Sequence, residues 1–321
     1  MAQQPIWKDY FANLGAVASM DITIRVRGNQ VFAGKAIRKP SDSDLLVYLN
    51  DIVADYLATA MPPLDAQAFV DDSGMIATAQ VYNGRNLVAT ESFAYDYSYQ
   101  DARPLEYFAT TPEDKTIDRR QPLILSIYPG SEVVNYRMYT NGGGSTTHSE
   151  EIGTSGAIVV PSSALANVSR VVFSSGGTGE GVTYRIVDTC ARYALYFVNP
   201  FGGWDSVIME GEHLQTDDVT REQMTRAYNS ADAMARGKDI IANTITTKMV
   251  LRSGWIAQAQ ADKFIQLVQS PNVYLYDMQE AQMIPVVVTD NTATRKTHKS
   301  LGGKLISYDV NVEFAQNKFI R

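Results

Sequence analysis

Nucleophilic hydrolysis needs a base beside its nucleophile, and histidine is the usual base. The chain holds three histidines, His148, His213 and His298, scattered and never at ligand spacing. His148 lies in a run of Gly, Ser and Thr, with Ser145 three residues before it. In a loop that spacing fixes no geometry. His213 sits in a charged stretch, and His298 in a basic turn with Lys296 and Lys299. No catalytic residue is assigned to any of them.

Two carboxylates suffice for glycoside hydrolysis, and they can come from anywhere in a fold. The acidic pairs are Asp71-Asp72, Glu150-Glu151 and Asp217-Asp218. Adjacent carboxylates on a strand point to opposite faces, and on turns they are usually hydrated. Asp71-Asp72-Ser73-Gly74 has the glycine of a calcium loop but too few alternating ligands. Gly176 to Gly181 is glycine-rich, yet it lacks the Gly-Lys-Ser/Thr of a phosphate loop and a following helix. Cys190 is the single cysteine, which excludes an internal disulfide and a cysteine-based zinc cluster. Asn167-Val168-Ser169 matches the glycosylation pattern but carries little weight with no secretory signal visible. No metal site and no cofactor are expected.

The totals point away from two partner classes. A net charge of −7 does not suit a general nucleic-acid binder, because phosphate affinity comes from clustered Lys and Arg. No window approaches the roughly 18 consecutive apolar residues of a membrane helix, so no membrane insertion is expected. The chain of 321 residues is long enough for two or three domains, and its 45% apolar and 20% charged content is that of a globular protein. Tyr, at 18 residues against 11 Phe and 3 Trp, fits sheet surfaces and interfaces.

The elements that must carry these residues are mostly strands. Met20, Ile22, Ile24 and Val26 alternate with Asp21, Thr23 and Arg25, the period of a half-buried strand. Gly28-Asn29 turns it into a second strand over 30–36. Asn50 can cap a short helix with Ile52, Val53, Tyr56 and Leu57 on one face, stopped by Pro62-Pro63. Strands are expected at 66–70 and 75–82, and Phe93, Tyr95, Tyr97 and Tyr99 keep period two as a ring-lined strand.

The polar, proline-punctuated stretch 101–120 marks a first boundary. Beyond it the pattern predicts strands at 123–128, 133–139, 157–160, 169–173, 182–187, 192–198 and 207–209. Seven or so short strands at roughly ten-residue spacing indicate a β-sandwich, immunoglobulin-like or fibronectin-like in architecture. The charged stretch 211–239 reads as a linker, an extended arm or an irregular crossover. Strand character returns at 244–251, a helix is expected at 258–269, and strands follow at 273–276, 284–289 and 304–314. The fold class is therefore mainly β: two or three β-sandwich or β-rich domains with two short helices. The domains are drawn at 1–112, 113–212 and 213–321.

Two segments stand out as contact candidates. Asn199-Pro200-Phe201-Gly202-Gly203-Trp204-Asp205 follows a strand apolar on both sides. A turn with Phe and Trp is costly to leave in water, so Asn199, Pro200, Phe201 and Trp204 form either a docking tip or a plug whose rings fold back over the sandwich end. Trp7, Tyr10 and Phe11 lie on an otherwise unanchored N-terminal tail, a candidate arm.

The run from Arg192 to Asp205 resembles a segment that recurs in structural proteins of tailed phages and prophages of gut Bacteroidales. Gln269-Ser270-Pro271-Asn272-Val273-Tyr274-Leu275-Tyr276, Ile284 to Asp290 and the final strand are similar to the same group. The N-terminal hairpin, helix and strand pattern fits it too, so the resemblance spans most of the chain. Its motifs are packing motifs, and no active-site residue is carried over. The resemblance implies a virion part at the tail tip or baseplate, a homo-oligomeric ring working with other phage structural proteins. Assembly in the host cytoplasm suits a chain without disulfides. Two other readings stay open: a glycan-binding or adhesin-like β-sandwich that meets a host-surface glycan, and a carbohydrate-active enzyme with unrecognised carboxylates.

Overall fold

In a computed structural model of the chain, the described residues are 4–6, 8–66, 68–99, 104–130, 133–175, 181–225, 238–257, 260–290, 305–316 and 318–320. The protein is mainly β, with several sheets and, among the described residues, two α-helices. It divides into two compact units, one of residues 1–188 with 198–205, the other of residues 189–197 with 206–321.

The first unit begins with β1 (Gln4–Pro5), β2 (Phe11–Asn13), β3 (Ser19–Val26), β4 (Asn29–Ile37), β5 (Leu46–Tyr48), α1 (Asn50–Ala54), β6 (Phe69–Asp71), β7 (Ile76–Asn83) and β8 (Asn86–Ala94). One sheet has the order β1-β8-β7-β3-β4, and β2 and β5 form a separate pair. The alternation in β3 does what its period requires: Ile22, Ile24 and Val26 are buried while Asp21, Arg25 and their hairpin partners face out. They meet Leu49 and Val53 from the helix region and Ala77, Ala79, Val81 and Phe93 in one core.

Two local expectations give way here. The first helical residue is Asn50, not its cap, and the helix stops at Ala54. The Asn50 amide instead donates to the carbonyls of Ile6 (2.7 Å) and Lys8 (2.8 Å), and its oxygen accepts from the Tyr10 N–H (2.8 Å). Fixing three points of the chain start satisfies this side chain better than one helical N–H would. The ring-lined strand expected over 93–99 also ends early, at Ala94. Past that point the Tyr95 and Tyr97 N–H groups bond to the Met75 and Pro200 carbonyls, so the chain leaves the sheet while the aromatic period continues.

The rest of the first unit is a sandwich. Its strands are β9 (Lys115–Asp118), β10 (Leu123–Ile127), β11 (Val133–Thr140), β12 (Ser145–Glu151), β13 (Gly156–Val160), β14 (Val168–Ser175) and β15 (Gly181–Val187). A three-stranded sheet, β10-β13-β6, and a five-stranded sheet, β12-β11-β14-β15-β9, enclose one core. Leu123, Leu125, Ile127, Ile158 and Val160 come from the first; Val134, Tyr136, Val171, Phe173, Val182 and Tyr184 come from the second. Phe173 makes ring contacts with Tyr136 at 5.4 Å and Tyr184 at 5.8 Å between centroids. Strand β6 lies before the boundary drawn at 112, yet it pairs with β13.

The second unit holds β16 (Tyr193–Val198), which runs into the first unit at its last residue, and β17 (Trp204–Met209), which leaves it after Asp205. Then come β18 (His213–Thr225), β19 (Lys238–Arg252), β20 (Ile256–Ala257), α2 (Ala261–Gln269), β21 (Val273–Asp277), β22 (Gln282–Val288), β23 (Leu305–Ile306), β24 (Asp309–Phe314) and β25 (Lys318–Ile320). Eight strands make one sheet in the order β17-β16-β21-β22-β24-β19-β18, with β25 also on β19. Strands β16 and β17, expected to close the middle sandwich, belong to this sheet instead. Every residue of β16 is buried, as a central strand covered on both faces must be. Helix α2 buries Ala261, Phe264 and Leu267, at three-residue intervals, and Phe264 stacks on Tyr308 with centroids 5.1 Å apart. The last expected strand, 304–314, is broken into β23 and β24 at Ser307-Tyr308, where the Ser253 hydroxyl accepts from the Tyr308 N–H (2.9 Å).

Within the stretch 211–239, expected as a linker, arm or irregular crossover, residues 213–225 form the strand β18 and residues 238–239 begin β19, while 226–237 lie outside the described residues. β18 pairs with β19 over its whole length, from His213 opposite Leu251 to Thr225 opposite Lys238. All thirteen of its residues are exposed, so no period-two hydrophobic signal marks it.

Candidate functional site

The turn between β16 and β17 is the segment that most resembles a contact tip, and its side chains are inside. Asn199, Phe201 and Trp204 are 1%, 3% and 2% exposed, and Pro200 is half-buried. Of the two readings, docking tip and plug, the plug is the one these residues adopt, within the first unit, for a physical reason that each residue supplies. Asn199 satisfies all its polar atoms locally: its amide donates to the Ala109 carbonyl (2.9 Å) and to Asp205 Oδ2 (2.8 Å). Its Oδ1 accepts from the N–H groups of Phe201 (2.9 Å) and Gly203 (3.1 Å). The Trp204 indole donates to the Ala60 carbonyl (3.0 Å), and Phe201 packs with Met75, Ala94, Ala109 and Tyr128. The Tyr128 hydroxyl donates to the Phe201 carbonyl. A ring so placed cannot stack on a sugar.

The two glycines are what lets the turn enter. Gly202 has φ +81°, and a Cβ on Gly203 would lie 2.1 Å from the Ala109 carbonyl oxygen. Backbone approach that close excludes every other residue type.

Beneath the turn lies a group that sequence reasoning did not find. Lys115 on β9 forms an ion pair with Asp205, their side chains 3% and 5% exposed. The Thr110 hydroxyl is 3.3 Å from Asp205 Oδ2, and the Asn199 amide donates to the same oxygen (2.8 Å). Burial pushes the Tyr184 phenol well above its ordinary value, and the Asp205 carboxylate adds to the effect. Chemically the cluster is spent: both charges answer each other, and neither opens to solvent where a substrate could meet it. The only signal in the sequence was the polar Asp205 beside an apolar turn. Its partner lies 90 residues away.

The N-terminal tail is anchored. Trp7 lies outside the described residues. Ile6 is buried, β1 runs parallel to β8, and β2 pairs with β5. The Tyr10 ring meets Phe93 edge-on at 5.9 Å, and its phenol is pushed up to about 12 by burial and a hydrogen bond with Glu91. Phe11 is 45% exposed but lies against Tyr48, centroids 5.3 Å apart. The expected free arm is thus stitched to the first sheet, because Asn50 and the edges of β8 and β5 take up its backbone groups.

Among the described residues the longest strand at the end of a sheet is β18. Among the described residues no strand pairs with its outer side, and Leu214, Val219 and Met224 are 63%, 41% and 43% exposed. Ile240 and Ile241 on β19 are exposed beside them. His213 caps one end with its ring edge-on to Tyr193 at 4.9 Å, and His148 stacks on Tyr136 at 4.9 Å in the other unit. Both histidines thus have ring contacts that explain their places. Among the described residues no three His, Cys, Asp or Glu side chains come together as a metal site, and no helix is long and apolar enough to cross a membrane. No protein-family model matches the chain, and no curated protein is significantly similar to it.

Proposed function

We propose that the protein is a non-enzymatic structural component of a tailed phage virion, in its tail, tail tip or baseplate. It assembles in the host cytoplasm as a homo-oligomeric ring, alongside other phage structural proteins. One observation carries the assembly part of the reading, though not the closure of the ring: β18 is thirteen residues long, exposed throughout, and bonded on one side only among the described residues. A monomer that works alone normally blunts such an edge by shortening or covering it, because unpaired N–H and C=O groups invite another strand. β12 and β4, also at the ends of their sheets, are largely exposed as well. The resemblance of 192–205, 269–276, 284–290 and the final strand to phage structural proteins gives the partners their kind.

The test is immunogold electron microscopy of particles released from a culture that carries the gene. Label clustered at the tail or baseplate is the expected result. Label confined to the soluble fraction and cell debris would overturn the reading.

A glycan-binding role has one observation in its favour. Trp255 follows Gly254, itself at φ +72°, and is 74% exposed. An exposed indole is a stacking surface for a sugar. Binding on a glycan array that Trp255→Ala abolishes would favour this second reading.

A further inference from the structure

We infer that β18 pairs antiparallel with β18 of a second copy, about a two-fold axis at Val219. This goes beyond the virion reading and does not depend on it. In antiparallel pairing about Val219, residue 219 + n of one copy stands opposite 219 − n of the other, on the same face. The strand reads His-Leu-Gln-Thr-Asp-Asp-Val-Thr-Arg-Glu-Gln-Met-Thr from 213 to 225.

The sequence is complementary to itself in that register. Val219 meets Val219 on one face of the sheet and Leu214 meets Met224 on the other, so each of the three exposed apolar residues of the strand has an apolar residue opposite it. Asp217 meets Arg221, twice by symmetry. Gln215 meets Gln223, and Thr216 meets Glu222. Arg221 makes no ion pair within the chain among the described residues, whereas Asp218 is already paired with Lys248 (2.7 Å).

The charges also reject the neighbouring registers. A slide of two residues one way puts Asp218 against Asp218; the other way it puts Asp218 against Glu222. Facing like charges are unfavourable on a sheet, so the edge discriminates among its own alignments. The two edges meet along backbone that β19 already holds extended, from Leu214 opposite Val250 to Glu222 opposite Ala242. Little ordering is left for the partner to impose. The register shift after Glu222, which leaves Ile241 as an extra residue on β19, sits towards the far end of the paired stretch. A contact of this kind closes on itself, so a ring would use a second, different surface and this edge would join subunits across it.

Sedimentation velocity over a concentration series tests the pairing, with circular dichroism as the control that each variant folds. The wild-type chain is expected to show a mass that doubles with concentration. Arg221→Asp should raise the dissociation constant about tenfold or more, since both symmetry-related pairs become repulsive. Asp217→Arg should do the same, and the double variant Asp217→Arg/Arg221→Asp should recover to within about threefold of wild type. In a Cys190→Ser background, which removes the exposed native thiol, Val219→Cys should cross-link to itself under mild oxidation. Thr216→Cys should not, because Thr216 faces Glu222. Equal cross-linking at 216 and 219, charge variants that leave self-association unchanged, or a wild-type monomer at every concentration would each overturn the inference, whatever the virion labelling shows.

Discussion

The turn 199–205 and the strand β18 exchange the places that their compositions advertise. The turn is rich in Phe, Trp, Pro and Gly, the make-up of an exposed recognition loop, yet it is among the most enclosed parts of the first unit. β18 is charged and hydroxylated like a solvated linker, yet it is regular, paired and open along one edge. Apolar content reports the free-energy cost of exposure, and a folded chain usually meets that cost by hiding the group within itself. Backbone hydrogen-bonding capacity carries no such mark in the side chains. An edge can therefore be a contact surface while its composition looks inert.

Breaking the turn should give the largest effects. Trp204→Ala empties a fully enclosed indole site and leaves the Ala60 carbonyl without its donor. The expected loss is about 3–5 kcal/mol, or a melting temperature lower by on the order of 10 °C for a unit of this size. Thermal unfolding followed by circular dichroism measures it. Were Trp204 a surface contact, the melt would not move.

The ion pair beneath the turn comes next, and a cycle of substitutions sharpens its role. Lys115→Ala leaves the Asp205 carboxylate buried without its cation and should cost about 3–5 kcal/mol. Replacing both partners, Lys115→Met with Asp205→Leu, should recover most of that. A remainder of about 1 kcal/mol should persist, because the Asn199 amide loses an acceptor. A double variant no better than Lys115→Ala would mean that the pair is held by more than its own two charges.

How far these features were legible follows from what each element needs. β3 could be read because Ile22, Ile24 and Val26 bury one face of a strand; α2 could be read as a helix, though the sequence suggests a face of Phe264, Ile265 and Val268 and the residues it buries are Ala261, Phe264 and Leu267. β12 and β18 were not legible. Both are exposed on both faces and owe their conformation to ladder hydrogen bonds from β11 and β19, which no side-chain period records. The aromatic alternation through Tyr97 and Tyr99 misled for the opposite reason, since its period outlasts the strand. The polar cluster was illegible because Thr110 and Lys115 reach Asp205 from 95 and 90 residues away. The burial of Trp204 depends on Ala60, 144 residues away.

The second unit has its own polar anchor, and it should respond to acid. Burial alone would raise the Asp277 carboxyl, but the Arg192 guanidinium (2.8 Å) and the N–H groups of Gln279 and Glu280 outweigh it and hold it below its ordinary value. A carboxyl lowered in the folded state stabilises above its unfolded-state value, about 3.9, and that stabilisation is lost as pH falls through the folded-state value. Melting temperature should therefore be flat above about pH 5 and fall below about pH 4. Asp277→Asn should lose about 1–3 kcal/mol at neutral pH and show a shallower acid decline. Arg192 is 42% exposed, so added salt should weaken this contribution. An unchanged acid profile in the variant would assign the decline to other carboxylates.

The smallest expected effect on the fold is at β18, and its smallness is the informative part. Val219→Thr keeps the β-branched shape that suits a strand and changes a methyl to a hydroxyl at a position 41% exposed. Within one chain Val219 stays exposed and meets no buried core among the described residues, so stability should stay within about 0.5 kcal/mol of wild type. Between two chains Val219 faces Val219 at the symmetry axis, and the same change puts two hydroxyls together where two apolar groups were. Self-association should weaken while the melting temperature of a dilute sample does not. A variant that destabilises the dilute sample by more than about 2 kcal/mol would show Val219 packed within its own chain, and the contrast with Trp204 would disappear.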